Sequence, residues 1–285
     1  MKFKPSTIPP LPAVLLAIIS VQSGAAIAKG LFPAIGAAGT ASLRIGISAI
    51  ILLIAYRPNF KKISISQWKA VIPYGLCLGA MNIVFYFSIE RIPIGLAVTL
   101  EFIGPLLVAI FGSKRFIDFL WILLAGAGIV LIAPFNGNGV DVIGMLLALL
   151  AGGFWAAYIL LGGRISKIMD GGKAVATGMV FAALLVVPFG LFSEKISNLN
   201  PVLFGLGTAL ALLSSAIPFT LEMNALKILP AKTFSILMSL APAFAALCAL
   251  LFLGERLAMN ETLAVIFVVI ASTGATLTAK KQSIS

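Results

Sequence analysis

The chain has 285 residues, of which 61% are hydrophobic and only 10% charged, with a mean hydropathy of +1.14. A soluble domain carries about 25% charged residues, so there is too little polar surface to face water, and a soluble globular protein is excluded. The formal net charge of +11, from 20 Lys and Arg against 9 Asp and Glu, would suit nucleic acid, but its placement along the chain points elsewhere.

A membrane-spanning helix needs about 20 predominantly apolar residues, and the chain offers ten such segments. Continuous apolar runs such as Ile50-Ile51-Leu52-Leu53-Ile54 lack the alternation of a β-barrel. The first span covers 12–31. Lys2 and Lys4 precede it and Ala26-Ile27-Ala28 resembles a cleavage site, but removing it would leave nine spans, so it reads as an uncleaved first helix. Gln22 and Lys29 are seven apart and share one of its faces. The second span, 39–56, carries Arg44. The third, 68–89, holds Gly75 and Gly79 at the spacing of a close helix contact, with Asn82 and Tyr86 four apart. The fourth, 93–113, opens at Pro93, carries Glu101 near its middle and is expected to bend at Pro105. The fifth is 117–134.

The turn Phe135-Asn136-Gly137-Asn138-Gly139-Val140-Asp141 divides the chain into 1–136 and 137–285. Spans follow at 142–162, 174–192, 203–226, 231–253 and 261–279. The eighth carries Thr220, Glu222 and Asn224. The ninth carries Ser235 and Ser239, with a second expected bend at Pro242.

Pro230 and Pro242 each stand 137 residues after Pro93 and Pro105. Five spans per half is an odd number, so the second half enters the membrane upside down relative to the first. The predicted fold is therefore all-α, with ten transmembrane helices in two inverted five-helix repeats around a central cavity. That architecture belongs to transporters, because inverted halves make inward-open and outward-open states near-equivalent. The acids do not repeat: Glu101 corresponds to Met238 and Glu222 to Phe85. A two-fold scaffold with one-fold chemistry suits an asymmetric ligand.

Of the 20 Lys and Arg, 15 fall in tails and loops on the side of the N-terminus, 4 on the other side, and Arg44 within a span. The positive-inside rule then puts both termini in the cytoplasm. The basic charge marks topology, and no nucleic-acid partner is expected. A charge at the bilayer centre costs about 2.5–3.5 kcal/mol on insertion scales, so each needs a partner or a wet cavity. Glu101 and Arg44 are expected to face such a cavity. The expected substrate-binding set is Gln22, Lys29, Arg44, Asn82, Tyr86, Glu101, Glu222, Asn224 and Ser239. Glu101 is also the candidate for a coupling proton. Glu222 reads equally as an inner-surface charge or as a partner for Lys227.

The chain has no His and two Cys, Cys77 and Cys248, both within spans. No metal, cofactor or disulfide is expected. The absence of a phosphate-binding glycine loop excludes direct ATP use, and the absence of His, paired carboxylates or a nucleophile motif argues against an enzyme.

Ten spans in two inverted halves, Arg early in span two, and Gly254-Glu255-Arg256-Leu257 after span nine resemble the EamA family of the drug/metabolite transporter superfamily. Val21-Gln22-Ser23-Gly24-Ala25-Ala26-Ile27-Ala28-Lys29-Gly30-Leu31-Phe32-Pro33, Leu100-Glu101-Phe102-Ile103-Gly104-Pro105 and Leu221-Glu222-Met223-Asn224-Ala225-Leu226 resemble its threonine/homoserine exporter branch. The resemblance implies export of small amino acids across a bacterial inner membrane, with Gln22, Lys29, Arg44 and Glu101 around the substrate. One departure bears on substrate choice: the branch has an acidic residue before the proline of span nine, where this chain has Leu240-Ala241-Pro242. The expected partner is a small zwitterion held by Glu101 and Arg44 or Lys29, within a lipid bilayer. Export of lipophilic cations on the same fold is the alternative.

Overall fold

A computed structural model describes residues 8–92, 94–110, 116–132, 141–238, 240–241, 244 and the positions 259, 262–263, 266–267, 269–271 and 274. Pro93, Ser239, Pro242, Cys248 and the 254–257 motif lie outside the described residues, as do most of the turn 135–141 and the side chain of Lys29. Among the described residues every regular element is helical: α1 Pro10–Tyr56, α2 Ile65–Ile89, α3 Ile94–Glu101, α4 Ile103–Ile110, α5 Phe116–Ile132, α6 Val142–Ile168, α7 Gly171–Leu191, α8 Pro201–Ala211, α9 Ile217–Ile228 and α10 Ala231–Met238.

Five helical stretches are long and apolar enough to cross a membrane: Gly30–Tyr56, Ile65–Ile89, Val142–Ile168, Gly171–Leu191 and Pro201–Ile228. Pro10–Gly24 and Ala97–Val108 are apolar but shorter. These are five of the ten spans expected. Their outer faces carry Ile54, Leu184 and Val202, each more than 60% exposed, as lipid-facing side chains are.

The helix ends follow from sequence. Ser64 Oγ accepts from the backbone N–H of Gln67 while Gln67 Oε1 accepts from that of Ser64, a reciprocal cap at the start of α2. Asp141, Asp170 and Asn200 cap α6, α7 and α8 by accepting from the N–H three residues on. The Gly144 N–H and then the Arg91 guanidinium, 3.0 Å away, hold the Asp141 carboxyl below the usual carboxylate range.

The interruptions matter more than the caps. α1 is two helical segments meeting at Gly36, whose φ of 71° only glycine adopts without strain. This turn falls between the first two expected spans. The fourth expected span is interrupted at Phe102, between α3 and α4, while the hydrogen bonds Phe102 N–H to Val98 and Leu106 N–H to Phe102 carry the helix through. Pro105 lies inside α4, one turn past the break. Lacking an N–H, it cannot bond the carbonyl four residues back, which is that of Glu101. The eighth expected span is likewise split, with a π-helical turn, Leu212–Ala216, between α8 and α9.

The helices approach closely where side chains are absent. Gly75 of α2 lies against the Gly178 backbone of α7, and Gly79 against Ala182, so the small-residue face of α2 is used as its spacing suggests. A Cβ at Gly75 would collide with the Gly178 carbonyl. Replacing Gly75 by Leu is expected to force α2 from α7 and cost about 1–3 kcal/mol, read as earlier thermal unfolding in detergent. Gly205→Ala, where nothing lies within 4 Å of an added Cβ, serves as the control and leaves the transition where it is.

Candidate functional site

The broken helices converge on a cavity of about 130 Å³. α1 contributes Gln22, Phe32 and Arg44; α2 contributes Asn82, Phe85 and Tyr86; α3 contributes Glu101. α6 adds Trp155, the π turn adds Ser214, and α9 adds Phe219 and Glu222. Most of the wall is apolar or aromatic, and three charged residues face it.

Arg44 is 8% exposed and held on three sides. Its Nη2 donates to the Ser214 carbonyl at 2.6 Å, its Nε to Ser215 Oγ at 2.8 Å, and its Nη1 to the Tyr86 hydroxyl at 3.3 Å. The guanidinium carbon also lies 5.7 Å from the Tyr86 ring centroid. The Ser214 carbonyl is available because Pro218, four residues on, has no N–H to offer it. The π turn is pinned to α1 as well: Ser20 Oγ donates to the Leu213 carbonyl at 2.5 Å and Ser214 Oγ to that of Val21 at 3.4 Å. Gly24 leaves the room for Ser214 to come this close, since a Cβ there would strike its hydroxyl. A guanidinium has five N–H donors. Three are used among the described residues.

Glu101 is the last residue of α3 and 9% exposed. Its carbonyl, relieved of a helical donor by Pro105, sits against Gly152 of α6, where a Cβ would lie 2.5 Å from it. Among the described residues its carboxylate has neither a hydrogen-bond nor an ion-pair partner, and Arg44 does not bridge to it. The carbonyl end of a helix favours a cation nearby.

Glu222, 3% exposed, is not paired with Lys227 on the surface. It points inward, and its Oε2 accepts from the Tyr158 hydroxyl at 3.0 Å. The Tyr158 ring stacks on Tyr74, centroids 5.2 Å apart.

The other expected residues divide. Gln22 lines the cavity and its Nε2 reaches the Ala241 carbonyl at 3.4 Å. Asn82 lines it too, with Nδ2 turned back to the Leu78 carbonyl at 2.8 Å, which leaves its Oδ1 available. Tyr86 faces it as the partner of Arg44. Asn224 does not line it: its Oδ1 lies beside Gly171 at the start of α7, 2.7 Å from where a Cβ would be. Its neighbour Thr220 spends its hydroxyl on the Ala216 carbonyl of its own helix. The Lys29 side chain and Ser239 are outside the described residues. Sequence reasoning missed Trp155, Tyr158, Ser214 and Ser215. A signal existed for the serines: Pro218 stands four residues after Ser214 in a stretch otherwise read as continuous helix.

Comparison with known proteins agrees with this geometry. The EamA-like transporter family matches residues 142–277. The threonine/homoserine exporter RhtA of Salmonella typhimurium is 42% identical over 275 residues, covering 96% of this chain and 93% of that one. The protein of the same name from Escherichia coli is 42% identical over 276 residues, with the same coverage. A solved crystal structure superposes with a TM-score of 0.70 at 17% identity, over 94% of this chain and 99% of that chain, a likeness of fold alone. With its apolar helices and its charged internal cavity, this multi-pass membrane protein belongs to the EamA-like transporter family.

Proposed function

We propose that the chain is a secondary transporter of the bacterial inner membrane that exports small zwitterionic amino acids, threonine or homoserine in kind, in exchange for protons. The observation that carries this is the charge pattern of one buried cavity. Arg44, fixed by three bonds, presents its guanidinium to a carboxylate, and Glu101, with no partner among the described residues, presents an acceptor to an ammonium. The printed name of the relatives supports the substrate class. The polar edge left by Asn82 suits a hydroxylated side chain, and Phe32, Phe85 and Trp155 close around its apolar part.

Transport runs by alternating access between inverted halves 1–136 and 137–285, with ten spans and both termini in the cytoplasm. Support for the two halves comes from the sequence: Pro230 and Pro242 each stand 137 residues after Pro93 and Pro105. Pro105 and Pro242 then act as matching helix interruptions, and Lys29 and Ser239 complete the substrate path, while Asn224 is left out of it.

The aromatic wall and two carboxylates give one reason to keep the second reading, export of lipophilic cations. The buried guanidinium distinguishes them, since a cation site has no use for it.

Purified protein in liposomes preloaded with unlabelled threonine is expected to take up labelled threonine and homoserine by counterflow. If no amino acid exchanges, the proposal fails. Arg44→Ala removes hydrogen bonds to a charge worth about 1.5–3 kcal/mol and is expected to raise the substrate Km roughly 10- to 100-fold. Amino-acid exchange lost with cation export preserved would favour the second reading. Glu101→Gln is expected to raise the Km for threonine, while a hydroxy acid without the ammonium competes equally well against both proteins; unequal competition removes Glu101 from the ammonium site.

A further inference from the structure

The cavity holds two carboxylates, and an exchanged proton needs only one. Resting on the proposed amino-acid/proton exchange, we infer that Glu222 carries the proton and that Tyr158 is the residue that positions it, leaving Glu101 to the substrate. The two acids differ in every respect that decides such a division. Glu101 ends a helix beside a carbonyl freed by proline, and its carboxylate opens on the cavity with no protein donor among the described residues. Such a carboxylate is placed to receive a cation, and among the described residues no side chain is bonded to it. Glu222 sits within α9, and one oxygen is already taken by the Tyr158 hydroxyl while the residue lines the cavity. A proton on its other oxygen can come and go through the cavity without moving the residue.

What stands behind Glu222 also suits a proton. Tyr158 and Tyr74 are both fully buried. The tilted Phe219 ring, 5.7 Å from that of Tyr158, closes the side toward α9. A substrate-sized ion has no room here. The ionisable groups that face Glu222 are Tyr158 from α6, with Tyr74 of α2 behind it, and Arg44 from α1. The other elements packed on α9, namely α7, α10 and the π turn, bring no further titratable group to it among the described residues. Arg44 is occupied by Ser214, Ser215 and Tyr86, so it influences Glu222 through space and does not bridge to it.

The chemistry balances simply. The proton leaves water on one side and bonds to a Glu222 oxygen. It departs from that oxygen to water on the other side when the cavity faces that way, with no bond to carbon made or broken. Tyr158 keeps its own proton throughout and donates to the carboxyl in both states.

The test uses the full chain in liposomes with labelled threonine, comparing counterflow at equal pH with accumulation under an imposed pH difference. Glu222→Gln is expected to abolish the extra accumulation that the pH difference gives and to flatten the pH profile. Glu222→Asp is expected to keep both, and carries the test should the Gln variant not fold. Tyr158→Phe removes only a hydroxyl and is expected to hold the maximal rate within about twofold while moving the half-maximal pH of transport. A merely structural role for Tyr158 would change the rate and leave that pH in place. Gradient-driven accumulation that persists in Glu222→Gln, or that vanishes in Glu101→Gln with the Km unchanged, overturns the assignment. Failure of wild-type counterflow is a different result, and sinks the transport reading itself.

Discussion

A guanidinium can be kept inside an apolar helix bundle only if something there accepts its hydrogens, and regular helices have nothing to offer. Their carbonyls are already bonded, four residues on, to their own backbone. The chain solves this with a proline and a π turn. Pro218 deprives the Ser214 carbonyl of its donor, and the π turn at Leu212–Ala216 brings Ser214 and Ser215 to Arg44. A charge at membrane depth costs about 2.5–3.5 kcal/mol, and a hydrogen bond to a charged group returns about 1.5–3 kcal/mol. Three such bonds are enough to seat Arg44 permanently. The rest of the cavity is arranged around that fixed point, with Tyr86 held against it and α1 tied to the π turn through Ser20 and Val21.

The same device, used on the other side, gives an opposite result. Pro105 frees the Glu101 carbonyl as Pro218 frees that of Ser214, but here the freed group and the acid belong to one residue, and no cation arrives to use them among the described residues. In the sequence Pro242 stands 137 residues after Pro105, yet Met238 stands at the same offset from Glu101, so the proline recurs and the acid does not.

Much of this could be read from sequence because buried charge is so costly. Arg44 and Glu101 stand out in spans that are otherwise apolar, and both face the cavity, as do Gln22, Asn82 and Tyr86. Spacing alone served less well. Thr220 and Asn224 share a helix face with Glu222, but periodicity says which side chains point the same way, not which neighbour they meet. One bonds its own helix and the other sits at the start of α7. Glu222 could equally have paired with Lys227; only the packing of α6 against α9 brings Tyr158 to it. Tyr158 itself gave no sign, since a tyrosine in a span is most often an ordinary packing residue. The helix interruption at Phe102 was legible as Pro105, because a proline leaves the carbonyl four residues back without its donor.

The difference between a seated charge and an unseated one bears directly on what the cavity can do. Arg44 has its hydrogen bonds whether or not a ligand is present. Glu101 has no such standing arrangement among the described residues, and must take water, a proton or a ligand cation in turn. The larger change on binding therefore falls at Glu101. Because its carbonyl presses on Gly152 of α6, that change is delivered to the contact between α3 and α6, elements from opposite sides of the central turn. Arg44 of α1 is likewise bonded to the π turn through Ser214 and Ser215, so each of these two charged residues sits at a contact between elements far apart in the chain.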